Sequence, residues 1–136
     1  MGKPIELLLV EDSPADIILT EEALKDANIE THMTVVNDGE EAMDYLLRRG
    51  KFADAVKPDV ILLDLNMPKK NGHEVLAEMK DDPELESIPV VVLTVSQEDE
   101  DVAKALNLKM NFYMSKPVTT ARLQPILEEI HNLWSA

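Results

Sequence analysis

The stretch VILLDLNMPKKNG, residues 60–72, decides the fold of this chain. Its first four residues are aliphatic, the run ends on one carboxylate, Asp64, and turn-forming residues such as Pro68 and Gly72 follow. A short aliphatic run of this kind predicts a strand that is buried on both faces, as in a parallel sheet. The carboxylate that ends such a strand therefore needs a chemical explanation.

Four other segments share the strand-like character of this run. Two are short and rich in aliphatic residues, and two are weaker candidates. In chain order, the five predicted strands are residues 5–10, 32–36, 60–64, 88–94 and 111–115.

Segments with helical spacing separate and follow the predicted strands. The first helix is expected to begin at Pro14 after Ser13, and the second to be capped by Asp38 and to run to Gly50. Because an interior proline removes a hydrogen bond, Pro125 predicts that the last helix starts late or bends there. Apolar stripes mark the other helical segments at residues 72–79, 102–106 and 123–133.

Strand and helix thus alternate five times, which predicts an α/β fold with right-handed crossovers. The common solution is a flavodoxin-like (βα)5 doubly wound parallel sheet of strand order 2-1-3-4-5, with its site at the carboxyl ends of strands one and three. The chain has 136 residues and 45% hydrophobic content, so we expect one domain over residues 1–136 and no effector domain.

Composition excludes several classes of function. The formal net charge of −14 argues against binding to nucleic acid, whose phosphates require clustered basic residues, and favours protein surfaces and cations as partners. The chain has no cysteine, so thiol redox chemistry and thiolate metal sites are excluded. The first residues lead directly into a predicted strand and no apolar run approaches the ~20 residues of a membrane helix, so we expect no signal peptide and a cytoplasmic protein.

Polar residues follow the predicted strands at the same end. Glu11 and Asp12 end the first strand, Asp64 the third, Thr94 the fourth, and Lys116 the fifth. Each residue alone has an ordinary explanation, such as a helix start, a turn or a solvated side chain. Their joint occurrence at one edge of the sheet favours a shared site.

Three convergent carboxylates require compensation, because two unit charges 4 Å apart repel by ~4 kcal/mol at an effective dielectric of ~20. Mg²⁺ is the natural counterion, since it prefers oxygen ligands and keeps part of its hydration shell. Carboxylate nucleophiles that form aspartyl-phosphates are an established route for phosphoryl transfer. In this hypothesis Asp64 attacks phosphorus, while Lys116 and the Thr94 hydroxyl contact phosphoryl oxygens.

The sequence resembles the response-regulator receiver domains of two-component signalling over essentially its whole length. Four motifs carry the resemblance in order and spacing: VEDSP (10–14), LLDLNMPKKNG (62–72), VVVLT (90–94) and KP (116–117). The resemblance implies that a histidine kinase phosphorylates Asp64. It also implies that Asp12, Asp64 and the backbone carbonyl of Asn66 bind Mg²⁺ directly, and that Glu11 acts through water.

The resemblance further implies a conformational switch. Thr94 and Tyr113 would form the switch pair, the threonine moving toward the phosphate and the ring turning inward. The responding surface would be the family's α4-β5-α5 face, here the helix near residues 102–106, the strand at 111–115 and the last helix. This face would serve protein interaction or homodimerisation.

One branch of the family is especially similar. The connection RRGKFADAVKPD (48–59), the stretch at residues 67–94 and the ending LW (133–134) resemble stand-alone receivers that serve phytochrome-type histidine kinases. The cognate partner implied is a phytochrome-type sensor kinase. Val95 departs from the family pattern, in which Ala, Gly or Ser is more usual, and its bulk predicts slow exchange with phosphodonors and slow hydrolysis.

Two other functions remain open on the sequence. A phosphatase with an aspartyl nucleophile would need a second carboxylate two residues beyond Asp64, where Asn66 stands. A receiver-like module could instead act as a phosphate sink or bind partners without phosphorylation. All five polar residues of the site are present, which argues against an inert module but leaves a sink open.

Overall fold

A computed structural model describes residues 4–64, 72–94, 111–115 and 118–135 of the chain. Its centre is a parallel sheet of five strands in the order 2-1-3-4-5, so the predicted flavodoxin-like fold is confirmed. The strands are β1 (Ile5–Val10), β2 (Thr31–Val36), β3 (Val60–Asp64), β4 (Val90–Thr94) and β5 (Asn111–Ser115). The fourth strand begins two residues later than predicted, after Pro89, which has no N–H to donate.

Helices connect and cover the strands. They are α1 (Pro14–Lys25), α2 (Gly39–Leu46), α3 (Gly72–Lys80), a single helical turn (Pro83–Glu86) and the C-terminal helix (Thr120–Ser135). The helix predicted near residues 102–106 lies outside the described residues. In the part of the chain that the structure describes, no helix is both long enough and apolar enough to cross a membrane.

Burial of both sheet faces explains why the strand sequences do not alternate. Along β1, Leu8 and Val10 pack into one core beneath α2 and α3, while Leu7 and Leu9 pack into a second core beneath α1 and the C-terminal helix. All five residues of β3 are buried. Since each fully buried Leu, Ile or Val contributes about 1.5–3 kcal/mol of transfer free energy, these strands form a rigid base for whatever their ends carry.

Both predicted N-caps are confirmed. The Ser13 side chain accepts a hydrogen bond from the Asp16 N–H, with Pro14 in the first helical turn of α1. Asp38 Oδ1 likewise accepts from the Glu41 N–H at 2.8 Å. These contacts fix where the two helices leave the sheet edge.

The predicted end of α2 at Gly50 is wrong. The helix ends at Leu46, and Arg48 adopts a left-handed conformation with φ of 56°. The Arg48 N–H bonds to the Tyr45 carbonyl and the Arg49 N–H bonds to the Asp44 carbonyl at 2.8 Å, which is the Schellman pattern. Gly50, also at positive φ, instead begins a 3₁₀ turn, Gly50–Phe52.

Two further differences concern prolines. The C-terminal helix begins at Thr120, five residues before Pro125, so the expected late start is wrong. Pro125 is exposed and costs the helix one hydrogen bond, which packing of Leu123, Leu127 and Ile130 into the core offsets. The helical turn at Pro83–Glu86 was not predicted, although its Asp82 cap and Pro83 are ordinary helix-start residues.

The left-handed Arg48 predicts a stabilising substitution. A non-glycine residue in this conformation costs roughly 1–2 kcal/mol, whereas glycine adopts it freely at a smaller entropic cost. We expect Arg48→Gly to raise the free energy of unfolding by about 0.5–1 kcal/mol in urea denaturation. Arg49→Gly, at φ of −98°, is the matched control and should lower it. Equal or lower stability of Arg48→Gly would contradict the strain at this position.

Candidate functional site

The carboxyl ends of β1 and β3 coincide because the two strands are parallel neighbours in register. Val10 pairs with Leu63, so Glu11 and Asp12, which follow β1, arrive at the same sheet edge as Asp64. The Asp64 backbone pairs in turn with Leu93 of β4. The register of the sheet therefore produces the convergence that the sequence predicted.

The three predicted carboxylates are brought together. Glu11, Asp12 and Asp64 each offer an oxygen atom, and these atoms all lie within 4.8 Å of one another. Glu11 and Asp64 are 1% and 3% exposed, whereas Asp12 is exposed to solvent. The cluster thus consists of two buried carboxylates, those of Glu11 and Asp64, and one that faces solvent, that of Asp12.

Backbone contacts hold the Glu11 side of the cluster. The Glu11 N–H donates to the Val36 carbonyl at 3.0 Å, which extends the pairing of β1 with β2 by one residue. The Glu11 carboxylate accepts from the Ser13 N–H at 3.2 Å, and Ser13 caps α1. The turn between β1 and α1 is therefore tied at both ends, which orients Asp12 between them.

Asn37 is a positioning residue that the sequence analysis missed. Its side-chain amide donates to the Glu11 carbonyl at 3.1 Å, and its backbone N–H donates to Glu41 Oε1 at 2.9 Å. Glu41 is itself held in place, because its backbone N–H donates to Asp38 Oδ1 at the N-cap of α2. Asn37 directly follows β2, so applying the rule about polar residues at strand ends to this strand would have found it.

The donor set fits a small hard cation. In an octahedral Mg²⁺ shell with bonds of about 2.1 Å, ligand oxygens lie roughly 3–4 Å apart. The oxygen separations of up to 4.8 Å require only a slight closure, or one carboxylate acting through water. A divalent charge at this position would remove the repulsion of ~4 kcal/mol that each close pair of carboxylates carries at an effective dielectric of ~20. The residues present therefore suit a divalent metal.

The other predicted site residues are only partly described. The Thr94 backbone ends β4, one residue beyond the partner of Asp64, and pairs with Ser115 of β5. The Tyr113 backbone lies in β5 opposite Val92. The described part of the structure does not include the side chains of Thr94 and Tyr113. It also does not include any part of Asn66, Val95 or Lys116.

A metal titration tests the acidic cluster. We expect MgCl2 to raise the melting temperature by about 5 °C at ten times its Kd, because binding at that ratio stabilises the native state by about 1.4 kcal/mol. NaCl at the same ionic strength gives the baseline. Asp12→Asn should lose most of the shift, while Asp54→Asn, an exposed carboxylate in the connection, should keep it. Equal shifts in both variants would contradict a metal site at the cluster.

Comparison with known proteins shows the family. The family model for the response regulator receiver domain matches residues 7–128. The response regulator Rcp1 of Synechocystis sp. is 43% identical over 131 residues, which cover 96% of this chain and 89% of that protein.

Solved structures agree with the sequence relatives. The phosphorylated cyanobacterial phytochrome response regulator RcpA superposes with a TM-score of 0.79 at 44% identity, covering 98% of this chain and 96% of that one. The Mn²⁺-bound form of Rcp1 gives a TM-score of 0.77 at 41% identity, covering 96% and 94%. The resemblance read from the four motifs is thereby confirmed, and the chain belongs to the response regulator receiver domain family of two-component signalling.

Proposed function

We propose that this receiver domain accepts a phosphoryl group on Asp64 from a phosphohistidine of a sensor kinase, with Mg²⁺ bound at the acidic cluster. The observation that supports it most directly is the placement of the Asp64 carboxylate, 3% exposed, among the carboxylates of Glu11 and Asp12. A surface ion-pair network would not need a carboxylate at the end of a fully buried strand. A metal-assisted acceptor does need one, because its position must be fixed.

In the proposed reaction the Asp64 carboxylate attacks phosphorus in line with the leaving imidazole. A bond forms between Asp64 Oδ and phosphorus, the bond from phosphorus to the histidine nitrogen breaks, and its electron pair returns to the ring. Asp12, Asp64 and the Asn66 carbonyl would hold Mg²⁺ directly, with Glu11 acting through water. When bound, Mg²⁺ supplies positive charge at the equatorial phosphoryl oxygens, where charge is spread in the transition state.

The remaining site residues would take the roles that the receiver family implies. Lys116, after β5, would contribute the second positive charge at the phosphoryl group, and the Thr94 hydroxyl would donate a hydrogen bond to one of its oxygens. Movement of Thr94 toward that oxygen would leave room for the Tyr113 ring to turn inward. Phosphorylation would thereby bias a two-state equilibrium of the α4-β5-α5 face and change its affinity for a partner protein or a second copy.

The proposed kinase is of the phytochrome type. Two relatives at 43–44% identity support this, since one is a phytochrome response regulator by name and both are matched over nearly their whole length. The 48–59 connection and the 67–94 stretch that resemble this branch include described surface segments outside the acidic cluster. Such segments are available to distinguish one kinase from another.

A phosphodonor assay tests the acceptor role. Incubation with a small-molecule phosphodonor and Mg²⁺ should give one phosphoryl adduct by intact mass spectrometry, which disappears in Asp64→Asn or after removal of Mg²⁺ by a chelator. Asp54→Asn is the matched control and should form the adduct at the wild-type rate. An equal adduct on Asp64→Asn would contradict the assignment of the acceptor.

The bulk of Val95 predicts slow turnover of the acyl phosphate. If the bulk at position 95 limits the approach of water, removing two methyl groups there should widen it, so we expect Val95→Ala to hydrolyse its phosphoryl group several-fold faster than wild type. The decay of the adduct after donor removal, followed by mass spectrometry, measures this rate. An unchanged decay would show that Val95 does not limit access.

A further inference from the structure

A groove of about 190 Å³ lies away from the acidic cluster, where the end of α2, the 48–59 connection and the helical turn at Pro83–Glu86 meet. We call it the connection groove. Six of its lining residues give it exposed apolar surface and charge: Leu47, Arg48, Val56, Lys57, Asp82 and Glu84.

The connection groove exposes apolar side chains that a solvated surface does not need. Among the described residues, four large apolar side chains are exposed: Ile18, Leu19, Leu47 and Val56. Leu47 is 40% exposed and Val56 is 56% exposed, and both line this groove. Adjacent exposed apolar side chains rimmed by charge are typical of an interaction surface.

The walls of the groove are fixed by contacts inside the chain. The Tyr45 hydroxyl donates to the Val56 carbonyl at 3.2 Å, and the Tyr45 ring meets Phe52 edge-on at 5.2 Å between centroids. On the other wall, Asp82 Oδ1 accepts from the Glu84 N–H at 2.9 Å. A preformed surface loses little conformational entropy on binding, which favours association through it.

The charges of the groove complement each other. Arg48 and Lys57 come from the end of α2 and the connection, whereas Asp82 and Glu84 come from the helical turn. The three ion pairs found among the described residues use other basic side chains. The groove is thus locally neutral on a chain of net charge −14, with its positive and negative groups on separate elements.

We propose that the connection groove is a two-fold self-association surface that binds a second copy of this chain. In a two-fold interface, residue i of one copy meets residue j of the other and j meets i. Arg48 and Lys57 of one copy would then face Glu84 and Asp82 of the other, twice, around a centre of Leu47 and Val56. A strongly basic partner would be drawn to the acidic remainder of the surface, whereas local neutrality permits two like-charged copies to approach.

Charge reversal tests the two-fold pairing in unphosphorylated protein. Sedimentation equilibrium should show a reversible dimer of the wild type that Arg48→Glu or Glu84→Arg each weakens by about tenfold, because both symmetric copies of the pair become repulsive. An equimolar mixture of the two variants should recover the wild-type affinity, since each contact again joins opposite charges. A mixture no tighter than either variant alone would overturn the proposal, as would a wild type that stays monomeric at high concentration.

Matched controls separate the groove from general charge and apolarity. Arg49→Glu makes the same change in net charge, but Arg49 pairs with Asp44 of its own chain at 3.0 Å, so this variant alone should dimerise with the wild-type affinity. Leu47→Asn should weaken the dimer, whereas Leu19→Asn, at a similarly exposed position on α1, should not. Equal effects of the two leucine variants would overturn the apolar centre.

The association is independent of the acceptor role. Arg48→Glu should form the Asp64 phosphoryl adduct at the wild-type rate, so loss of self-association and loss of phosphoryl acceptance are separate results. Dimerisation that depends on phosphorylation and survives Arg48→Glu would belong to the α4-β5-α5 face and would overturn the groove as the contact.

Discussion

The parallel pairing of β1 with β3 is the constraint on which the functional site depends. Val10 and Leu63 are paired in the sheet, so the residues that follow them lie close together. Glu11, Asp12 and Asp64 therefore meet at one edge of the sheet. This arrangement is unfavourable by itself, since each close pair of carboxylates repels by ~4 kcal/mol at an effective dielectric of ~20. Burial of both sheet faces offsets that cost and holds the charges where a cation and a phosphoryl group can use them.

The sequence predicted the sheet well because its evidence is local to each strand. An aliphatic run without alternation means burial on two faces, and alternation with helical segments then leaves few topologies. The ends of helices were harder to predict. Gly50 is the obvious stop for α2, yet Arg48 takes the left-handed position, and the connection that follows brings Phe52 edge-on to Tyr45. A non-glycine residue at the left-handed position leaves no pattern in the sequence from which this boundary could be predicted.

In the candidate site, too, some residues could be predicted from the sequence and another was found only in the fold. Glu11, Asp12 and Asp64 were predictable because each ends a strand, and strand ends of a parallel sheet share an edge. Asn37 supports them by a bond to the Glu11 carbonyl, a contact between residues 26 positions apart. Sequence identifies such a residue only after the neighbouring strand is known. The acidic side chains were therefore visible as a group, while the amide that orients their backbone was visible only in the fold.

The acceptor site and the connection groove lie at opposite ends of β3, and this separation bears on how they interact. Asp64 ends the strand, whereas Val56 and Lys57 precede its start. Five residues of extended chain put roughly 13 Å between its ends. The start is anchored independently, since the Asp59 N–H donates to the Glu6 carbonyl at 2.7 Å and the Asp59 carboxylate accepts from the Glu6 N–H at 2.9 Å. Because β3 is buried and its start is anchored in this way, occupation of the groove would leave the geometry of Asp64 unchanged. Self-association through the groove would present two Asp64 side chains to a kinase at once. The reactivity of each Asp64 would still depend only on the carboxylates of its own copy.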